Sequence, residues 1–281
     1  MNKIRHFPKL GIREKTMLQI GLLTAIFLTV LFIGSLVGEN ALLVDLDDIF
    51  QPPSRHHLFG TDWTGRDMLL RTLKGLSLSI SIGMLSAVIS GIIAVVLGIA
   101  GPLFGGKTDA FLSWLIDLML SIPHAIVIIL ISMACGGGFK GIVTGVTLTH
   151  WTSLTRVIRA EVMQIKEAEY TKVSRQLGKS GWYIAREHVF LHIIPQLIVG
   201  VVLIFPHAIL HEASVTFLGF GLPPHEPAIG VILSESMKYL TSGKWWLAFF
   251  PGLSLVSVSM LVDRLGKNIE TMLNPKTAYR N

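Results

Sequence analysis

An all-α, polytopic membrane helical bundle with six transmembrane helices is the fold class this sequence predicts, and three observations predict it. Of its 281 residues 51% are apolar and only 15% are charged, a balance that suits a bilayer rather than a soluble core. The apolar residues gather into runs long enough to cross about 30 Å of hydrocarbon. The positive residues fall between those runs, so they read as topology signals, and no nucleic-acid partner is expected.

The first run, from Met17 to Val37, follows the basic residues Lys3, Arg5, Lys9, Arg13 and Lys15. It is longer than a signal-peptide core, and Gly38-Glu39-Asn40-Ala41 makes a poor cleavage site, so it reads as a retained span. Residues 38–75 read as an external loop containing Pro52-Pro53. The next spans run from Leu76 to Phe104, from Ala110 to Met133 and from Phe139 to Val157. The last of these holds His150 and several threonines, so it should face protein rather than lipid. Leu197 to Leu222 and Trp245 to Leu265 complete the six. Between them lies a second external loop with Pro223-Pro224 and a helix-like piece near Ile229 to Tyr239.

With the N-terminus inside, seventeen Lys and Arg residues fall on the cytoplasmic side and seven outside, which places both termini in the cytoplasm. The chain divides into residues 1–75 (cytoplasmic N-terminus, first span and external loop) and residues 76–281, the transmembrane domain carrying a cytoplasmic loop over 164–195. Lipid is the expected surroundings. Cys135, the single cysteine, excludes a disulfide framework and a CxxC metal or redox site, and reads as a buried free thiol.

The cytoplasmic loop reads as a helix, a break and a second short helix. Tyr170, Val173 and Leu177 recur on one face, Gly178 suits a left-handed C-terminal cap, and Ser180 can cap a helix starting near Trp182. A short, basic, amphipathic helix of this kind either lies on the membrane surface or docks a partner.

Phe59-Gly60-Thr61-Asp62-Trp63-Thr64-Gly65-Arg66-Asp67 is the most specific string in the chain. Its glycines permit tight turns, while Asp62, Arg66 and Asp67 can pair with one another or cap the helix starting near Met68, a loop-fixing role. The string resembles the G-T-D-x-x-G-R-D signature of the permease subunits of dipeptide, oligopeptide and nickel importers of the ATP-binding-cassette (ABC) type. The loop from Gln164 to Pro195 resembles the ATPase-docking loop of those permeases, with Gly178 and Pro195 in place. Where the family has Glu-Ala-Ala, this chain has Lys172-Val173-Ser174, so no contact made by that glutamate carries over. Asp117 to Pro123 and Phe217-Leu218-Gly219-Phe220-Gly221 also resemble family segments.

The resemblance implies an ABC type I importer permease fold of the second-permease type, residing in a bacterial cytoplasmic membrane. The implied partners are a second homologous permease subunit, two cytoplasmic ABC ATPases and an extracytoplasmic solute-binding protein. Glu169, Tyr170, Lys172, Val173, Ser174, Leu177 and Gly178 become the coupling segment. Gly60, Thr61, Asp62, Gly65, Arg66 and Asp67 form the signature loop. ATP and magnesium are expected only in the ATPases, with no cofactor bound by this chain and no catalysis by it. Gly101 to Thr108 formally satisfies the phosphate-loop pattern G-x-x-x-x-G-K-[ST], but it lacks a preceding buried strand and lies between two spans, so it does not read as a nucleotide site.

A charge near the centre of a spanning helix costs about 3 kcal/mol, so Asp117, His124, His150, His207, His211 and Glu212 are candidates for a pathway. His207 and His211, four apart, share a helical face and could transiently meet a metal, with Glu212 rotated away by about 100°. The alternative is that these groups hydrogen-bond across helices and hold the bundle together. Nickel-type members of the resembling family carry histidine just before the Phe-Leu-Gly segment, where His211 stands. Nickel or a metal chelate is therefore the first substrate expectation and di- or oligopeptide the second. A proton-coupled transporter using Glu212, Asp117 and the histidines is the rival of another class.

Overall fold

The computed structural model describes residues 12–38 and 43–273, and these are largely helical. Lys3, Arg5, Lys9 and the stretch from Glu39 to Ala41 lie outside them. The helices are α1 (Ile12–Leu36), α2 (Met68–Phe104), α3 (Gly106–Ser121), α4 (His124–Ala134), α5 (Gly138–Glu167), α6 (Glu169–Gln176), α7 (Gly181–Ile184), α8 (Phe190–Phe217), α9 (Ile229–Leu240) and α10 (Trp246–Leu273). Among the described residues, the one β pairing is an isolated antiparallel bridge between Thr61 and Asp67.

The bundle is organised around α2, which packs against α1, α5 and α8, while α10 closes on α8, α9 and α1. Small residues let α2 approach its neighbours, as is usual where lipid supplies no hydrophobic drive between helices. A Cβ added at Gly91 would stand 2.4 Å from Val201 of α8, and one at Gly98 would stand 2.7 Å from Ile158 of α5. Gly141 and Gly145 bring α5 against the α4 backbone in the same way, which sets the distance between His150 and His124.

Among the described residues, four helical stretches are long and apolar enough to cross a membrane: Arg13–Leu36, Met68–Phe104, Gly181–Phe217 and Trp246–Leu273. The pair α3 and α4 makes a fifth if it is one span. Length and composition alone therefore fall short of the expected six. The fourth expected span, within α5, is the one too polar to qualify, because its threonines and His150 are buried against other helices instead of lipid.

Three expected boundaries change. The second span begins at Met68 rather than Leu76, because Asp67 caps the helix there, so one unbroken helix crosses the expected division at 75/76. The third span is bent by 99° between α3 and α4. Pro123 forces the break: the residue before a proline avoids the helical region, and Ile122 is extended (φ −100°, ψ 136°). The fifth span begins far earlier than Leu197, because α7 continues through a π-helical turn, Ala185–Val189, into α8. Pro195 consequently lies inside α8 rather than at a loop end. Cys135 is exposed beyond the C-terminal end of α4, not buried.

Candidate functional site

Three places gather chemistry. On one end of the bundle, the signature loop folds around a buried carboxylate. Asp62 is wholly buried; its Oδ1 accepts from the Thr64 amide (2.8 Å), the Thr64 hydroxyl (2.7 Å) and the Arg66 amide (3.1 Å). Its Oδ2 accepts from Arg66 Nε (2.8 Å) and Arg71 Nη1 (3.1 Å). Arg71 also bonds Glu235 of α9, and its guanidinium lies 4.9 Å from the centre of the Trp63 ring, which stacks on Tyr239. Asp67 caps α2 by accepting from the Leu69 and Leu70 amides, and its Oδ2 meets His57 Nδ1 at 2.8 Å. Gly60 and Gly65 have φ of +73° and +78°, and a Cβ at Gly65 would fall 1.6 Å from the Asp45 carbonyl oxygen. Thr61 is buried, its hydroxyl donating to the Asp48 carbonyl. The arrangement is a clamp that joins the loop to α2 and α9.

At the other end, α6 and α7 form the expected helix, break and helix. Ala168 leaves the helical region between α5 and α6, Gly178 takes φ +76°, and the Ser180 hydroxyl accepts from the Tyr183 amide to start α7. The face carrying Tyr170, Val173 and Leu177 is exposed, as is Trp182, at 76%. Glu169 and Lys172 are also exposed, Lys172 lying 3.4 Å from Glu167, while the Ser174 hydroxyl meets His188 Nε2 at 3.0 Å. Two ties anchor the base of this loop to the end of α2 and the start of α3. Lys166 donates to the Pro102 carbonyl, and Arg159 makes a two-pronged pair with Asp109 at 2.6 and 2.7 Å. The string from Gly101 to Thr108 is thus a helix-to-helix turn, with Gly101 and Pro102 inside α2 and Gly106 opening α3.

Between these ends lies a cavity of about 420 Å³, walled by α4, α5 and α8. His207 and His211 both line it, as their spacing on one helical face predicts, and so do His124 and His150. The cluster that closes up is not the expected pair. His124, His150 and His211 bring one ligand atom each to within 4.8 Å of one another, whereas His207 lies outside that group. Ring centroids stand 5.6 Å (His124–His150), 5.9 Å (His124–His211) and 5.3 Å (His150–His211) apart. Sequence spacing could not join three helices; only the Pro123 bend and the close α4–α5 approach place His124 here.

Glu212 and Asp117 do not line this cavity. Glu212 is wholly buried, its Oε1 accepting from the Thr216 hydroxyl at 3.0 Å. Thr216 in turn accepts from the Leu222 amide, so this pair anchors the turn over residues 217–221. Asp117 is exposed and paired with Arg156 at 2.6 Å.

Residues 90–274 match the family model described as "Binding-protein-dependent transport system inner membrane component". The dipeptide transport system permease protein DppC of Bacillus subtilis (strain 168) is 30% identical over 94% of this chain and 83% of its own length. The oligopeptide transport system permease protein OppC of the same organism is 32% identical, over 80% of this chain and 74% of its own. Among solved structures, a chain of the MetNI methionine ABC transporter, in an inward facing conformation, superposes with a TM-score of 0.55. It covers 72% of this chain and 97% of that one at 14% identity, so the likeness is one of fold: that of a type I ABC importer permease.

Proposed function

Because the chain belongs to the family of binding-protein-dependent transport system inner membrane components, we propose that it forms half of the path by which an ATP-driven importer carries dipeptides or oligopeptides across a bacterial cytoplasmic membrane. It is a transmembrane permease subunit of an ABC importer, and ATP hydrolysis belongs to partner subunits. One observation carries the peptide reading: the DppC and OppC relatives, both named for peptide transport, align along most of this chain. That reverses the order of the two substrate expectations. A metal chelate stays as the second reading because three imidazoles converge on the cavity.

In this reading a second homologous permease completes the path as a heterodimer, and an extracytoplasmic binding protein delivers the substrate. Of two ABC ATPases, which hold ATP and magnesium, one docks on the exposed face of α6 formed by Tyr170, Val173 and Leu177, and the other on the partner permease. Both termini lie in the cytoplasm, α5 serves as the sixth span inside the bundle, and the core transmembrane domain begins with α2, at Met68 rather than at residue 76. Closure of the ATPases on ATP displaces α6. The Lys166–Pro102 and Arg159–Asp109 ties pass that displacement to α2 and α3, next to the cavity-lining helices.

The test is uptake into vesicles holding this chain, its partner permease and the ATPases, with the binding protein outside. Labelled di- and oligopeptide should accumulate only with internal ATP. Uptake that persists without the ATPases and collapses with an uncoupler would replace this reading by the proton-coupled one. Saturable nickel uptake with no peptide uptake would promote the second substrate.

A further inference from the structure

His150 sets the chemistry of the cavity wall. Its Nδ1 stands 2.9 Å from the Val146 carbonyl oxygen, which can only accept, and 3.0 Å from the Thr149 hydroxyl, whose single hydrogen goes to the Gly145 or Val146 carbonyl, so Nδ1 carries the proton and Nε2 presents a lone pair. That Nε2 is buried and has no hydrogen-bond partner among the described residues. A buried, unpaired acceptor calls for an occupant. An imidazole fixed through one nitrogen by a backbone carbonyl, with the other left open, is also how proteins orient metal-binding histidines. The half-buried rings of His124 and His211 stand beside it, from two other helices.

We propose that His124, His150 and His211 form a transient three-imidazole site for a divalent transition metal that arrives bound to a small anionic chelator. The assignment rests on the reading of the cavity as part of the translocation path. Nitrogens bound at about 2.1 Å on one face of a six-coordinate ion stand about 3 Å apart. From separations within 4.8 Å, each ring need shift only by about 1 Å. Neutral imidazole suits nickel and zinc. Three protein ligands leave coordination positions open toward the cavity.

The chelator follows from charge. The other lining residues are apolar or small except Ser153 and His207, and no carboxylate is among them. A bare dication would meet no compensating charge at membrane depth, whereas a metal already carrying carboxylates brings its own. The shared coordination also keeps binding weak enough for release, as a conduit requires.

The experiment measures nickel retention by equilibrium dialysis on the purified transporter complex, isolated through a histidine-free affinity tag. Nickel is offered alone and with one equivalent of malonate. Wild type should retain one equivalent more than the variant H124A/H150A/H211A, and malonate should tighten its binding at least threefold. His207→Ala should change binding less than threefold. If the triple variant fails to assemble, the single change His124→Ala, at a half-buried ring, should weaken binding at least tenfold while the complex co-purifies intact. Equal retention by wild type and an assembled variant overturns the site, and stripping of the nickel by malonate overturns the chelate form. Because retention is read without transport, loss of the site and loss of the importer reading register separately.

Discussion

Asp62 accepts five hydrogen bonds while wholly buried, two of them from guanidinium groups. Removing the charge from such a pair leaves two arginines under-compensated, which costs about 3–5 kcal/mol when the pair is buried. Asp62→Asn should therefore lower the thermal denaturation midpoint of the purified protein sharply. A change at exposed Asp263, paired with Lys267, should leave it within a degree or two, consistent with at most about 1 kcal/mol for surface pairs. Equal midpoints for the two variants would remove the clamp from the stability argument. The string around Asp62 is legible because its turn glycines and capping acids act over short sequence distances. Arg71 and its partner Glu235 are not legible, since 164 residues separate them.

The short helix α6 ends because Gly178 turns left-handed, and a Cβ there meets nothing within 4 Å. Substitution therefore acts through the backbone rather than through a clash. Gly178→Val should insert normally yet strain the break by about 1–2 kcal/mol, misaligning α6 against the ATPase. At least tenfold more ATP should then be hydrolysed per substrate imported, measured in reconstituted vesicles. An unchanged ratio would detach α6 from coupling. The helix, break and helix pattern was readable from Gly178, Ser180 and the apolar spacing, because caps are local signals. The continuity of α7 with α8 was not. Pro195 reads as the end of the loop, leading into the fifth span, but a proline is tolerated inside a membrane helix when neighbouring helices re-satisfy the freed backbone groups. The glycines of α2 and α5 that meet neighbouring helices, at 75, 83, 91, 98, 141 and 145, are the one mark of this close packing that the sequence itself carries.

Across the whole molecule, the sharp bend at Pro123 leaves two topologies for α3 and α4: one broken span, or a loop that enters and returns. Cys135, the only cysteine and exposed, distinguishes them. With a cytoplasmic N-terminus and a broken span, a membrane-impermeant maleimide should label Cys135 in intact cells. Labelling only after permeabilisation would make the pair re-entrant. The sequence by itself determined the helical membrane class, the signature loop and the break in the docking loop, because composition, turn chemistry and capping act within a few residues. Tertiary structure alone decided which polar groups share a space. It brought His124 to His150 and His211, left His207 at the edge, and buried Glu212 in a turn anchor. Those outcomes depend on how closely three helices approach and on the angle at one proline, and no spacing along a single helix encodes either.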